Sequence, residues 1–270
     1  MLGTIEQELG NPEEAEKYWE KAYHAGSKLI PESFDGKIRW GFTENRPYLR
    51  AMHQMAITHL TGNNPEKAIQ LLEQILAYNP DDNQGIRYSI GDLYFLQNKY
   101  KKAQAVYEEN LDYPPYLYSH GLLHLILGNK VKAITYFRKG ILANIYISDA
   151  LRMNFPLIPY DIWHQSNFEM PETAHDYTSM MMEKWISMPE SFELLQFLHI
   201  SELFGPAIQD IYALKEELKY IDELDEIEES RAARREIISD IETIQNGITD
   251  SSSKKILKRW EKAPQASLFN

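Results

Sequence analysis

Two histidines four positions apart are the residues whose type and spacing come nearest to chemistry. His120 and His124 share one face of any helix that carries them, a spacing that metal sites use. Gly121 follows His120 directly, so the glutamate of a zinc-protease helix is missing, and no third ligand lies nearby. The pair reads first as groove-lining or satisfied imidazoles and only weakly as a metal site. Asp161 and His164 could form an acid–base dyad, but no serine or threonine can be placed beside them. Glu44, Asp81, Asp82, Asp92 and Glu108 are further acids; paired carboxylates act only at a separation that a fold must set. Asp82, before Asn83-Gln84-Gly85-Ile86-Arg87, reads as a helix start whose oxygens take free amides. There is no phosphate-binding loop and no dinucleotide fingerprint. The expectation is a protein that is not an enzyme and needs no cofactor. A hydrolase or metal-dependent activity is retained only for these two pairs.

The elements that would position such residues repeat along the chain. Ala15, Ala68, Ala103 and Ala133 each follow a Gly/Asn turn and a short polar stretch. Four residues later stands Trp19, Leu72, Tyr107 or Phe137, and twelve residues earlier Gly3, Ala56, Gly91 or Gly121. Small residues at such points let two antiparallel helices approach, and the bulky one fills the gap beside them. The pattern resembles the tetratricopeptide repeat (TPR), whose period is about 34 residues. It predicts an all-α, TPR-like right-handed helical solenoid of about three and a half repeats with a C-terminal helical extension. The repeats occupy 1–146. The first is incomplete, and its apolar edge calls for a cap, a partner or self-association with another copy.

An insertion at 27–45, punctuated by Pro31, Gly36 and Gly41, carries Phe34, Trp40 and Phe42 as apolar anchors and reads as an ordered loop. After about Tyr146 the rhythm stops. Residues 147–205 read as an irregular aromatic segment plus a closing helical pair, one helix starting near Glu172–Thr173 and one after Pro189. At 206–250 the spacing of Ile211, Leu214, Leu218, Ile221, Leu224 and Ile227, then Ile237, Ile238, Ile241 and Ile244, predicts one amphipathic helix or a hairpin broken near Glu229–Ser230. The acidic run Glu216–Glu229 reads as a solvated face or a surface for a basic partner. Residues 251–270 read as a flexible basic tail.

Composition bounds the function. The net charge of −12 argues against nucleic acid, because phosphate contact needs a basic face. With no cysteine, disulfides, thiolate zinc sites and thiol nucleophiles are excluded. No apolar run is long enough for a membrane span, and no secretory signal is read at the N-terminus, so the expected location is cytoplasmic.

Two longer motifs sharpen the resemblance. Glu44-Asn45-Arg46-Pro47-Tyr48-Leu49-Arg50-Ala51 and Asn79-Pro80-Asp81-Asp82-Asn83-Gln84-Gly85-Ile86-Arg87-Tyr88, with Tyr177 and Trp185, resemble a group of uncharacterised bacterial TPR proteins over roughly Gly41–Leu198. Some of these carry a cysteine-containing metal module that this chain lacks. The TPR resemblance implies a concave groove presenting Arg50, His53 and Ile57, then Tyr88, Asp92 and Phe95, then Tyr118 and Leu122. The lysine–asparagine–arginine clamp for terminal carboxylates is absent from these positions, and the surface is aromatic and aliphatic. Arg46, Arg50 and Arg87, beside Tyr48 and Tyr88, either pin helix junctions or bind an anion. The leading expectation is a TPR adaptor or scaffold holding an apolar helix or peptide of a protein partner, unless the chain's own helix from Pro206 fills the groove. The alternative is a regulatory or neutralising partner that binds through its long C-terminal helix.

Overall fold

The computed structural model describes residues 2–222 and 228–263. All regular structure among them is helical. The chain divides into two compact units, Met1–Val106 and Tyr107–Asn270. This division falls inside the third helical hairpin.

In the first unit, α1 (Leu2–Glu8) packs on α2 (Pro12–Ser27), α2 on α3 (Arg46–Thr61), and α3 on α4 (Pro65–Tyr78), with α5 (Ile90–Leu96) following. Helix α6 (Tyr100–Glu109) crosses the division, and α7 (Pro114–Ile126) and α8 (Lys130–Ala143) form the tightest hairpin of the second unit. One turn closes all four hairpins. Five residues before each repeat alanine stands a left-handed residue: Gly10, Asn63, Asn98 or Gly128. Only Gly and, at modest cost, Asn enter that region readily. The next amide then reaches back five residues, Asn11 to Glu6, Asn64 to His59, Lys99 to Tyr94 and Asn129 to His124. That bond satisfies carbonyls left over at the end of the first helix. Asn64 and Asn129 also cap the following helix with their side chains.

Inside the hairpins the small and bulky residues meet as their spacing predicts. All four repeat alanines are fully buried. A Cβ at Gly3 would stand 2.4 Å from the Trp19 ring, and one at Gly121 2.4 Å from Phe137. Where the bulky residue is Leu72, the small one is Ala56, so the two volumes trade off.

The insertion is ordered and docks on the end of α4. The Ile38 amide donates to the Tyr78 carbonyl (2.8 Å), and Lys37 Nζ to that of Ala77 (2.8 Å). Ile38 and Trp40 anchor it; Phe34 and Phe42, expected as anchors, are exposed.

The second unit departs from the sequence expectation in three places, and takes the hairpin rather than the single helix at 206–250. Asn144 stops α8 and caps α9 (Ile145–Leu151) at once, so a short helix opens the stretch expected to be irregular. The expected closing pair, α10 (Pro171–Ile186) and α11 (Glu190–Ile200), touches through Trp185 and Phe192 but packs mainly on other helices. Helix α10 packs on α9 and α7, while α11 packs on α8 and on α12 (Gly205–Asp222). The long amphipathic stretch is two helices that pack together, α12 and α13 (Glu228–Asn246). The expected break at Glu229–Ser230 lies within α13; Leu224 and Ile227 lie outside the described residues. Finally, 250–260 is not a loose tail. Helix α14 (Asp250–Trp260) opens with a capping box at Thr249 and Ser252 and lies on α8. Thr135 donates to Asp250 (2.7 Å) and Ser253 (2.9 Å), Arg138 to Ser252 (2.8 Å), and Lys130 stands over the Trp260 ring. Basic side chains line the exposed face of α14 while Ser253, Ile256 and Trp260 are buried. No helix of the described residues is long and apolar enough to cross a membrane.

Candidate functional site

The most developed polar arrangement accessible to solvent sits in the first unit, around the start of α3 and the Asn79–Tyr88 junction. Asp82 organises the junction. Its backbone is left-handed, and its carboxylate accepts the Ile86 amide (2.8 Å), the Arg87 amide (2.9 Å) and Arg87 Nε (2.9 Å). The side chain is almost wholly buried, so these bonds replace the water it has lost. Asp82 caps a turn of 3-10 helix, as the sequence implies. Asp82→Ala removes all three bonds and places alanine in a left-handed backbone, so urea denaturation should show a loss of about 2 kcal/mol, with Asp82→Asn losing less.

Arg87 is committed to this turn. Besides the Asp82 pair, its Nη2 donates to the Asp81 carbonyl (2.9 Å), and its guanidinium stands 5.8 Å from the Tyr88 ring. It therefore holds the junction and leaves the candidate anion set. Gln84 ties the same junction to α3 by donating to the Leu49 carbonyl (3.2 Å).

Along α3, Arg50 and Ile57 are exposed and His53 is half-buried, one face at spacings of three and four. Ile57 is 40 % exposed, while Leu49, Met52 and Ala56 of the same helix are buried. Burial lowers the His53 pKa, and the nearby Asp82 charge opposes that shift. Arg46 Nε donates to the Trp40 carbonyl (3.0 Å), and the Arg46 and Arg50 guanidiniums lie 5.4 and 5.2 Å from the Trp40 ring centre. The sequence pairs these arginines with Tyr48 and Tyr88. The structure instead brings Trp40 from the insertion to Arg46 and Arg50. Tyr48 turns to α2, stacking on Tyr23 and hydrogen-bonding Ser27 (3.3 Å).

The rest of the expected groove is core. Asp92 is 1 % exposed, and Phe95, Tyr118 and Leu122 are fully buried. Tyr118 lies over Gly140 within its own hairpin and donates to the Asn144 carbonyl (2.7 Å). Beside it, Ser119 donates to Tyr177 Oη of α10 (3.2 Å). Tyr118 is thus covered within its own hairpin and by Tyr177 of α10, its ring centre 6.2 Å from the Tyr177 ring. Tyr88 stays half-buried.

The residues first suspected of chemistry are brought together differently. His120 and His124 are both buried and stack on each other and on Tyr136, with ring centres 4.6, 3.9 and 5.4 Å apart. Burial pushes their pKa values down to about 3 and about 4. Among the described residues, no group of three His, Cys, Asp or Glu side chains could hold a metal ion. Asp161 pairs with Lys219 of α12, while His164 Nε2 meets Tyr146 Oη at 3.0 Å, so the Asp161/His164 dyad does not form. A contact that sequence reasoning missed joins Ser148 Oγ to His199 Nε2 (2.8 Å). Ser148 is fully buried, and burial plus the Arg152 charge hold His199 near pKa 4, too low for a general base at neutral pH. A cleft of about 560 Å³ in the second unit, between Lys139, Ser166 and Gln245, contains none of the sequence-selected residues.

Comparison with known proteins agrees with this helical arrangement. No curated protein and no solved structure matches the chain. Residues 59–112, from the end of α3 through α6, match the family model for the tetratricopeptide repeat. That repeat, in an all-helical chain of consecutive hairpins, makes this protein similar to protein–protein interaction modules.

Proposed function

We propose that the protein is a binding module that captures a segment of a partner protein on the exposed face of α3, with Arg50, His53, Ile57 and Tyr88 as contacts. The observation that carries this reading is Ile57, a large aliphatic 40 % exposed on the face that also presents Arg50 and His53. An apolar side chain flanked by a cation and an imidazole suits the anchor-and-rim pattern of binding hot spots. The apolar groove of the sequence reading shrinks accordingly, since its aromatic floor is internal. Capture through the C-terminal helices draws less support, because α12 and α14 turn Ile211, Leu218, Ile256 and Trp260 inward.

The test is a substitution on the full chain. Peptides selected by display against the native protein are measured against Ile57→Asp. Burying the 40 % of that side chain still open to solvent contributes about 0.6–1.2 kcal/mol, so affinity should fall by about three- to eightfold. Thermal unfolding should shift by only a few degrees, the site being partly exposed. Unchanged affinity for every selected peptide would remove α3 from the binding surface.

A further inference from the structure

We infer that the Arg46–Trp40–Arg50 cluster receives a carboxylate group of an acidic residue in the bound partner segment. This rests on the module reading above and names the chemistry of one of its contacts. Arg46 is fixed through Nε on the Trp40 carbonyl, which leaves its two terminal nitrogens available. Arg50 stands one turn further along α3, and both guanidiniums lie close to the same indole. Among the described residues neither arginine has an acidic side chain within ion-pair distance. Asp82 is taken by Arg87, and Glu44, two residues before Arg46, is exposed and bridges to neither.

In a chain of net charge −12, these two guanidiniums stand one helical turn apart over one indole with no carboxylate between them. A guanidinium offers paired donors in a plane, the geometry of a carboxylate. The indole holds both cations near its ring at little desolvation cost. Arg46 is also the first residue of α3, where the positive end of the helix adds to the attraction. Trp40 reaches this place because the insertion is tied to α4 through Lys37, Ile38 and the Asn79 side chain. The insertion thus builds a site on the face of α3, about two helical turns from Ile57, that the repeat alone would not have. The recognised segment carries an aspartate or glutamate a few residues from an apolar one.

The experiment uses the full chain and three probes: a short fluorescent peptide with leucine flanked by glutamates, its glutamine counterpart, and inorganic phosphate. The glutamate peptide should bind saturably, weaken as salt rises, and exceed the glutamine peptide by about tenfold, the difference expected of charge-assisted hydrogen bonds. Arg50→Gln should remove about that tenfold preference, and Arg50→Lys should restore part of it, while thermal unfolding stays unchanged. Equal binding of the two peptides would overturn the carboxylate site. So would unchanged preference in Arg50→Gln, or displacement of the glutamate peptide by phosphate at lower concentration than the peptide itself. If Ile57→Asp still weakens binding of both peptides in that case, the α3 face stands and only the acid site falls. If Ile57→Asp changes nothing while Arg50→Gln does, the acid site stands and the wider face falls.

Discussion

Replacing Trp185 with alanine lowers the unfolding free energy of the second unit by about 3–5 kcal/mol, the cost of emptying a fully packed aromatic site. Trp185 is fully buried in α10, with its ring 5.4 Å from Phe137 of α8 and 5.8 Å from Phe192 of α11. Its Nε1 donates to Tyr177 Oη at 2.9 Å, and that hydroxyl also accepts from Ser119 of α7. One side chain therefore joins four helices, and alanine removes a buried hydrogen bond as well as leaving a cavity. Urea denaturation followed by far-ultraviolet circular dichroism measures the loss. Trp185→Phe keeps a ring but not the donor and should fall between the two. A shift under 1 kcal/mol for alanine would mean that these helices do not depend on this contact.

Acid should destabilise the second unit through His120 and His124. Above about pH 6.5 an imidazole is neutral folded or unfolded and contributes no pH dependence. Below that, the unfolded chain takes up protons. The folded chain resists until about pH 4 at His124 and about pH 3 at His120, because burial disfavours the charged rings. The neighbouring Lys132 charge and, for His120, His124 itself act in the same direction; Glu108 and Asp250 oppose the shift at His124. The unfolded state binds more protons, so stability falls as pH falls, by about 1.4 kcal/mol per pH unit for each histidine. Between pH 6.5 and pH 4.5 the pair together accounts for about 5 kcal/mol. His120→Phe preserves a ring against Tyr136 and removes one of the two contributions, so its denaturation midpoint should depend less steeply on pH. Neither ring nitrogen of His120 meets a hydrogen-bond partner among the described residues, so the same change should not weaken the protein at neutral pH. A slope identical to that of the native chain would show that His120 does not resist protonation.

The hairpins were legible because each depends on local residues. A Gly or Asn five positions before a buried alanine encodes the turn, and a small residue sixteen positions before a bulky one encodes the approach. The α3 face was legible for a similar reason, since Arg50, His53 and Ile57 follow from helical spacing alone. What failed was the step from spacing to exposure. Phe95, Tyr118 and Leu122 occupy the expected register, but a register does not say which neighbour covers a face, and Tyr118 is covered within its own hairpin and by Tyr177 of α10. The contact of Trp40 with Arg46 and Arg50 was out of reach because it depends on where a nineteen-residue insertion lands. Helix α9 was overlooked because it is seven residues long and follows α8 with only Asn144 between them. Helix α14 was overlooked because its serines and lysines look like a linker. Yet Thr249 and Ser252, three apart, already spell a helix start.

The trade of volume between paired positions has a consequence for how such a chain can change. Gly3 with Trp19 and Gly121 with Phe137 leave no room for a methyl group, whereas Ala56 with Leu72 has that room already filled. A mutation at one member of a pair meets its penalty at the other, sixteen residues away across a turn. Single helices therefore cannot be exchanged between hairpins, since a glycine helix opposite leucine leaves a void and an alanine helix opposite tryptophan collides. Whole hairpins carry both members and move intact, which makes the hairpin, turn included, the smallest piece of this chain that duplication or recombination can transplant.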